Sequence, residues 1–243
     1  MTRYVKSELQ KLKRTFSLKL IWLAPLITLI FSVGGGQNSA FYFWYTNFLP
    51  GALTIICSLV ILKDSKMKYH AVFSLPVNKS KVWIGKEMSC IILFLFMSII
   101  FLFGALILGF CMPAGVPVKL VDLSLAQMSS ASVILFITLL WQILLCLFLC
   151  AKFGMFVTII INMAACIIGG AEFAAGNMWT FPYAISVRLM SPILHILPNG
   201  LPAPKGSQVL NTGVIIPGIL ISVILFIIIS TASMIWFNKQ EAK

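Results

Sequence analysis

The residues able to do chemistry are few, and their spacing decides what they can do. Six cysteines (Cys57, Cys90, Cys111, Cys146, Cys150 and Cys166) could ligate a metal or pair, yet none forms a C-x-x-C motif or has a histidine at ligand spacing. All lie in or at the ends of apolar stretches, where cysteine packs as a small hydrophobe. The two histidines, His70 and His195, stand far apart, and neither H-E-x-x-H nor G-x-S-x-G occurs. The Walker A pattern is also missing: Gly85-Lys86-Glu87 lacks both the earlier glycine and the following hydroxyl, so the chain is not expected to hydrolyse ATP alone. The expectation is a non-enzyme with no catalytic, cofactor-binding or metal residues of its own.

The elements that would position any site are apolar. Of 243 residues, 60% are hydrophobic and 10% charged, against about half and a quarter in a soluble domain, and mean hydropathy is +1.03. Six stretches reach or approach the ~20 apolar residues that cross a hydrocarbon core: 20–36, 41–62, 88–112, 131–151, 153–171 and 213–237. Unpaired backbone groups are costly in lipid, so these must be helices. The predicted fold is all-α and polytopic, one transmembrane domain over 1–243 with six transmembrane helices.

Charge sets the direction. Fifteen of the eighteen Lys and Arg fall on one side of a six-span chain, leaving Lys119, Arg188 and Lys205 on the other. Basic residues stay inside, so both termini are predicted to be cytoplasmic. This accounts for the net charge of +12 without nucleic acid. In the first nineteen residues Val5, Leu9, Leu12 and Phe16 recur at helical spacing, with Lys6, Lys13 and Arg14 off that stripe. The reading is an amphipathic helix over 1–19, lying on the inner surface and leading into the first span. A cleaved signal ending at Gly34-Gly35-Gly36 is the competing outline, opposed by the length and patterning of the basic region.

Two connections are long. Residues 63–87 form a basic cytoplasmic loop with apolar residues among the lysines, and 172–212 an external loop with five prolines. Within the latter, Tyr183 to Leu197 is too short to span and is expected at the outer interface or dipping into the membrane. Inside the spans Asn47, Gln142 and Asn162 are expected to bond between helices. No charge lies at mid-depth, which disfavours an ion-coupled carrier.

This layout, with Ser74-Leu75-Pro76-Val77-Asn78-Lys79-Ser80-Lys81 followed by Gly85-Lys86, resembles the membrane subunit of a type-2 (ABC-2) ABC transporter permease. Lys19-Leu20-Ile21-Trp22-Leu23-Ala24-Pro25-Leu26, Pro182 to Met190 and Ile196-Leu197-Pro198-Asn199-Gly200-Leu201-Pro202 are similar to the EpiE/MutE group of lantibiotic immunity permeases. Around Phe43-Trp44-Tyr45-Thr46-Asn47 the chain departs from that group, being poorer in tryptophan. The resemblance implies an ABC-2 permease fold and a heterodimer with a second related permease. A separate ABC ATPase dimer would bind ATP and Mg, and a lipoprotein sometimes assists. It further implies a Gram-positive cell membrane and a lantibiotic peptide as substrate. The coupling surface for the ATPase would then lie at Phe73, Leu75, Pro76, Lys79, Lys81, Val82, Trp83 and Lys86. Asp122 and Glu172 are the outer-side candidates for attracting a cationic peptide. With no obvious polar tunnel, such a peptide would enter laterally from the bilayer. A peptide sensor or scaffold that signals without transport is the alternative function.

Overall fold

The computed structural model describes residues 2–13, 15–65, 78–111 and 123–240, and these are helical apart from short connections. Helix α1 (Thr2–Leu12) stops where Thr15 turns its amide and hydroxyl onto the Leu12 carbonyl, at 2.9 and 2.7 Å. The chain then bends by 78° into α2 (Phe16–Ser32), so the single helix expected over 1–19 is divided between α1 and the start of α2. At 17 residues α2 is roughly 26 Å long, short for a crossing. It begins and ends about four residues earlier than the predicted 20–36. Gly36, at φ +70°, lies outside the right-handed helical region and makes the break there.

The next apolar rod joins α3 (Gly36–Phe43), a wide π-helical turn (Trp44–Phe48) and α4 (Leu49–Ser65). The wide turn has a cause in the sequence. Pro50 offers no N–H and its ring crowds the carbonyl four residues back. In the wide turn the Leu49 amide bonds the Trp44 carbonyl, five residues back, which opens the backbone.

Helix α5 (Lys79–Cys111) is longer than expected, because residues 79–87, read from their charge as loop, form its first turns. Asn78 caps it, its side chain accepting from the Lys81 amide at 3.2 Å. Helix α6 (Leu125–Phe153) starts at a capping box, Ser124 with Gln127, six residues before the predicted boundary. Gly154, at φ +86°, alone separates it from α7 (Met155–Ala175). The remaining helices are α8 (Pro182–Leu194) and α9 (Ile215–Asn238).

Five of these rods are long and apolar enough to cross a membrane, and six if bent α1–α2 counts as one span. Helix α6 is the hub, packing on α4, α5, α7, α8 and α9. Helix α9 instead turns Ile216, Leu220, Ile224, Ile227 and Ile228 outward, an apolar face of the kind that needs lipid or protein around it. Helix α8 belongs to the predicted external loop, but every residue from Ala184 to Leu194 is buried against α6, α7 and α9. It is therefore an inserted helix of the bundle and not one lying on its surface.

Candidate functional site

The basic end of the bundle holds a compact ionic cluster built from three helices. The Lys86 Nζ lies 3.0 Å from Glu8 Oε2 and also bonds Asp64, while Lys11 bonds Glu8 at 2.6 Å and Asp64 at 3.2 Å. Lys63 adds a bond to the Lys11 carbonyl, tying the end of α4 to α1. Lys86 has no exposed surface and Glu8 is 5% exposed. A buried charge survives only with partners of opposite sign, and here two cations balance two carboxylates. Burial pulls the Lys11 ammonium toward neutrality, but Glu8 and Asp64 outweigh it and hold its pKa above the usual value. The close approach of α1 depends on Gly85, where an added Cβ would sit 3.1 Å from Tyr4 Cβ.

Successive residues on a helix point about 100° apart, so Glu87 faces away from its neighbour. Its carboxyl group, 4% exposed, accepts from Ser230 at 2.9 Å and Ser233 at 3.2 Å on α9. The Trp83 indole donates to Ser233 at 3.0 Å and stacks on Phe237 at 4.8 Å. Lys79 donates to the Gln240 carbonyl, and Ser80 pairs with Asn238. The first turns of α5 are thus held by α1 and α4 on one side and by α9 on the other.

This geometry redistributes the predicted coupling residues. Val82, Trp83 and Lys86 are spent on packing within the chain, and a side chain without exposed surface cannot anchor a partner in this conformation. Lys79 is half-buried against the end of α9, and Lys81 is exposed. Phe73, Leu75 and Pro76 lie outside the described residues, as does Asp122. Glu172 is exposed on α7 and forms no ion pair among the described residues. Glu8, Lys11, Asp64 and Glu87 did not stand out in the sequence. The available signal was scarcity: of six acidic residues, four (Glu8, Asp64, Glu87 and Glu241) sit among the lysines flanking one end of the bundle.

A second polar constellation lies inside the bundle. Asn162 of α7 donates to Thr54 at 2.7 Å and Pro50 at 3.3 Å, and accepts from Gln142 at 2.9 Å and Tyr183 at 3.1 Å. It joins α4, α6, α7 and α8, so the expected interhelical bonds form for Gln142 and Asn162. Asn47 differs: it is exposed within the wide turn, and among the described residues its side chain donates to its neighbour Thr46 at 2.8 Å. Cys57, Cys90, Cys146, Cys150 and Cys166 are free thiols, and Cys57 donates to the Ile143 carbonyl at 3.5 Å. Among the described residues no group of three His, Cys, Asp or Glu could hold a metal ion.

At the other end Arg188 of α8 is buried and bonds the Val209 and Gln208 carbonyls, pinning the segment that leads into α9. Compared with family models, curated proteins and solved structures, the chain matches none, so the reading of its site rests on these residues.

Proposed function

We propose that this chain is the non-catalytic permease subunit of an ABC exporter that expels lantibiotic-type antimicrobial peptides from the membrane. One observation carries the reading beyond the sequence resemblance. Residues 66–77 leave α4 just after Asp64 and rejoin the described chain at Asn78, and both flanks are fastened by the Lys86–Asp64–Glu8 cluster. A partner that moves this connection therefore acts on α1, α4 and α5 together, and through Glu87 on α9. Such a linkage suits a subunit whose energy comes from a separate ATPase. With the basic end inside, that ATPase would meet Phe73, Leu75, Pro76 and the exposed Lys81, with Lys79 at the edge. Apolar anchors with a polar rim are the usual composition of such an interface.

The test is reconstitution with the ATPase and second permease, comparing wild-type ATPase with a hydrolysis-dead one. Transport predicts that clearance of peptide from the bilayer is lost with the dead ATPase. Undiminished clearance would overturn the exporter reading in favour of binding or sensing without transport.

A further inference from the structure

The elbow between α1 and α2 does not close on α5. Two adjoining hollows, of about 550 and 430 Å3, open there and share Leu9, Lys13 and Ile92 as lining. The first lies under α1, between Val5 and Met88; the second runs along α2 and α5 to Trp22, Phe96 and Ile100. Their walls are almost wholly apolar, and Trp22 and Phe96 stay 61% and 55% exposed. From Met88 to Ile100 the hollows follow α5 for roughly 18 Å, close to half of the ~30 Å hydrocarbon core. The groove thus has the depth of one leaflet and ends there.

Its mouth is charged in one sense. Lys6, on α1, and Lys13, in the turn that ends it, both line the upper hollow and are exposed. Lys11, between them in sequence, turns to Glu8 and Asp64, whereas no carboxylate among the described residues pairs with Lys6 or Lys13. Two free ammonium groups above an apolar slot one leaflet deep match a single lipid chemistry: an anionic phosphate head with acyl chains beneath it. The geometry points to a binding site for one acidic phospholipid of the inner leaflet, held between α1, α2 and α5. A zwitterionic lipid would fill the slot but leave the lysines without a net counter-charge. This site is independent of the exporter reading.

Trp22 provides the test, because brominated acyl chains quench only an indole they touch. The full chain is placed in phosphatidylcholine bilayers containing a fifth phosphatidylglycerol, with bromine on the chains of one lipid or the other. Subtracting the Trp22→Phe signal isolates Trp22 from the other tryptophans. At equal mole fraction of brominated lipid, phosphatidylglycerol should quench Trp22 several-fold more strongly. A lysine near an anionic headgroup favours binding by up to about fivefold, so Lys6→Gln with Lys13→Gln should remove the preference and bring quenching by the two lipids to near equality. Both residues are exposed, so helix content by circular dichroism should not change. Equal quenching by the two lipids would reduce the groove to ordinary lipid contact. No quenching by either would mean that protein covers it, a second copy or residues 66–77. Both results overturn the site, as does a preference that survives the double substitution.

Discussion

Replacing Lys86 by methionine keeps most of its volume and removes the charge at the centre of the ionic cluster. Two carboxylates, on Glu8 and Asp64, then lose their most buried partner. Breaking a buried pair costs about 3–5 kcal/mol when nothing replaces it. Lys11 still reaches both acids, at 2.6 and 3.2 Å, with a side chain about one-third exposed, which favours the low end, ~3 kcal/mol. The cost falls mainly on the contact of α1 with α4 and α5, because α5 keeps its Glu87 and Trp83 bonds to α9. Hydrogen exchange of α1 amides, with the chain in nanodiscs, reads that local opening directly. A 3 kcal/mol loss corresponds to roughly hundredfold faster exchange in α1, with the core of α6 unchanged. Glu8→Gln should repeat the effect more weakly. Combining it with Lys86→Met should recover part of the loss, since the double variant buries one fewer unpaired charge. Unchanged α1 exchange, or strictly additive single effects, would show that the cluster does not hold α1 in place.

Four further outcomes follow from the same contacts. Gly85→Leu places a side chain against Tyr4, so a spin-label distance between α1 and α5 should lengthen by a few Å and broaden; an unchanged distribution would count against close packing there. Ser233→Ala strands the Trp83 indole N–H and takes one donor from Glu87, and should cost about 1–3 kcal/mol in an unfolding titration. Asn162→Leu removes bonds to three neighbouring helices and a fourth to the Pro50 carbonyl; at the ~0.6 kcal/mol average for such bonds in membranes, the loss should be about 2 kcal/mol. On the exporter reading, Leu75→Asp should release a separate ATPase from the tagged chain in a pull-down while the chain stays folded; retained assembly would move the proposed coupling surface elsewhere.

Much of the fold is legible in the sequence because helices in lipid satisfy their backbone locally. Length and hydropathy therefore locate the apolar rods, but the stripe Val5, Leu9, Leu12, Phe16 runs across the bend, which falls between Leu12 and Phe16. The boundaries slip where composition and conformation part. Residues 79–87 are charged yet helical, because Asn78 caps them and Lys79, Lys86 and Glu87 find partners elsewhere in the bundle. Helix α8 is too short for the spanning rule and too rich in proline context to look inserted, and its burial depends on α6, α7 and α9 together. The ionic cluster is the least legible part. Lys86 and Glu8 are 78 positions apart, and no local pattern announces which of fifteen lysines and arginines on that side will be drawn inward.

What selects Lys86 is its position beside Glu87. One helical step separates an ammonium held by α1 and α4 from a carboxyl group held by two α9 hydroxyls. The two anchors differ in kind. The ionic side is strong when paired and costly when opened, so it has few intermediate arrangements. The hydroxyl side exchanges single hydrogen bonds of about 1 kcal/mol net each, so it opens at lower cost than the ionic side where the freed groups regain partners. A pull on residues 66–77 should therefore carry α1, α4 and the start of α5 as one body and slip against α9. That ordering is measurable: in the working complex, an α1–α5 crosslink such as Tyr4→Cys with Gly85→Cys, which spares the ionic cluster, should leave turnover largely intact. A crosslink from Ser80→Cys to Asn238→Cys should arrest it, and the reverse pattern would place the moving boundary on the α1 side.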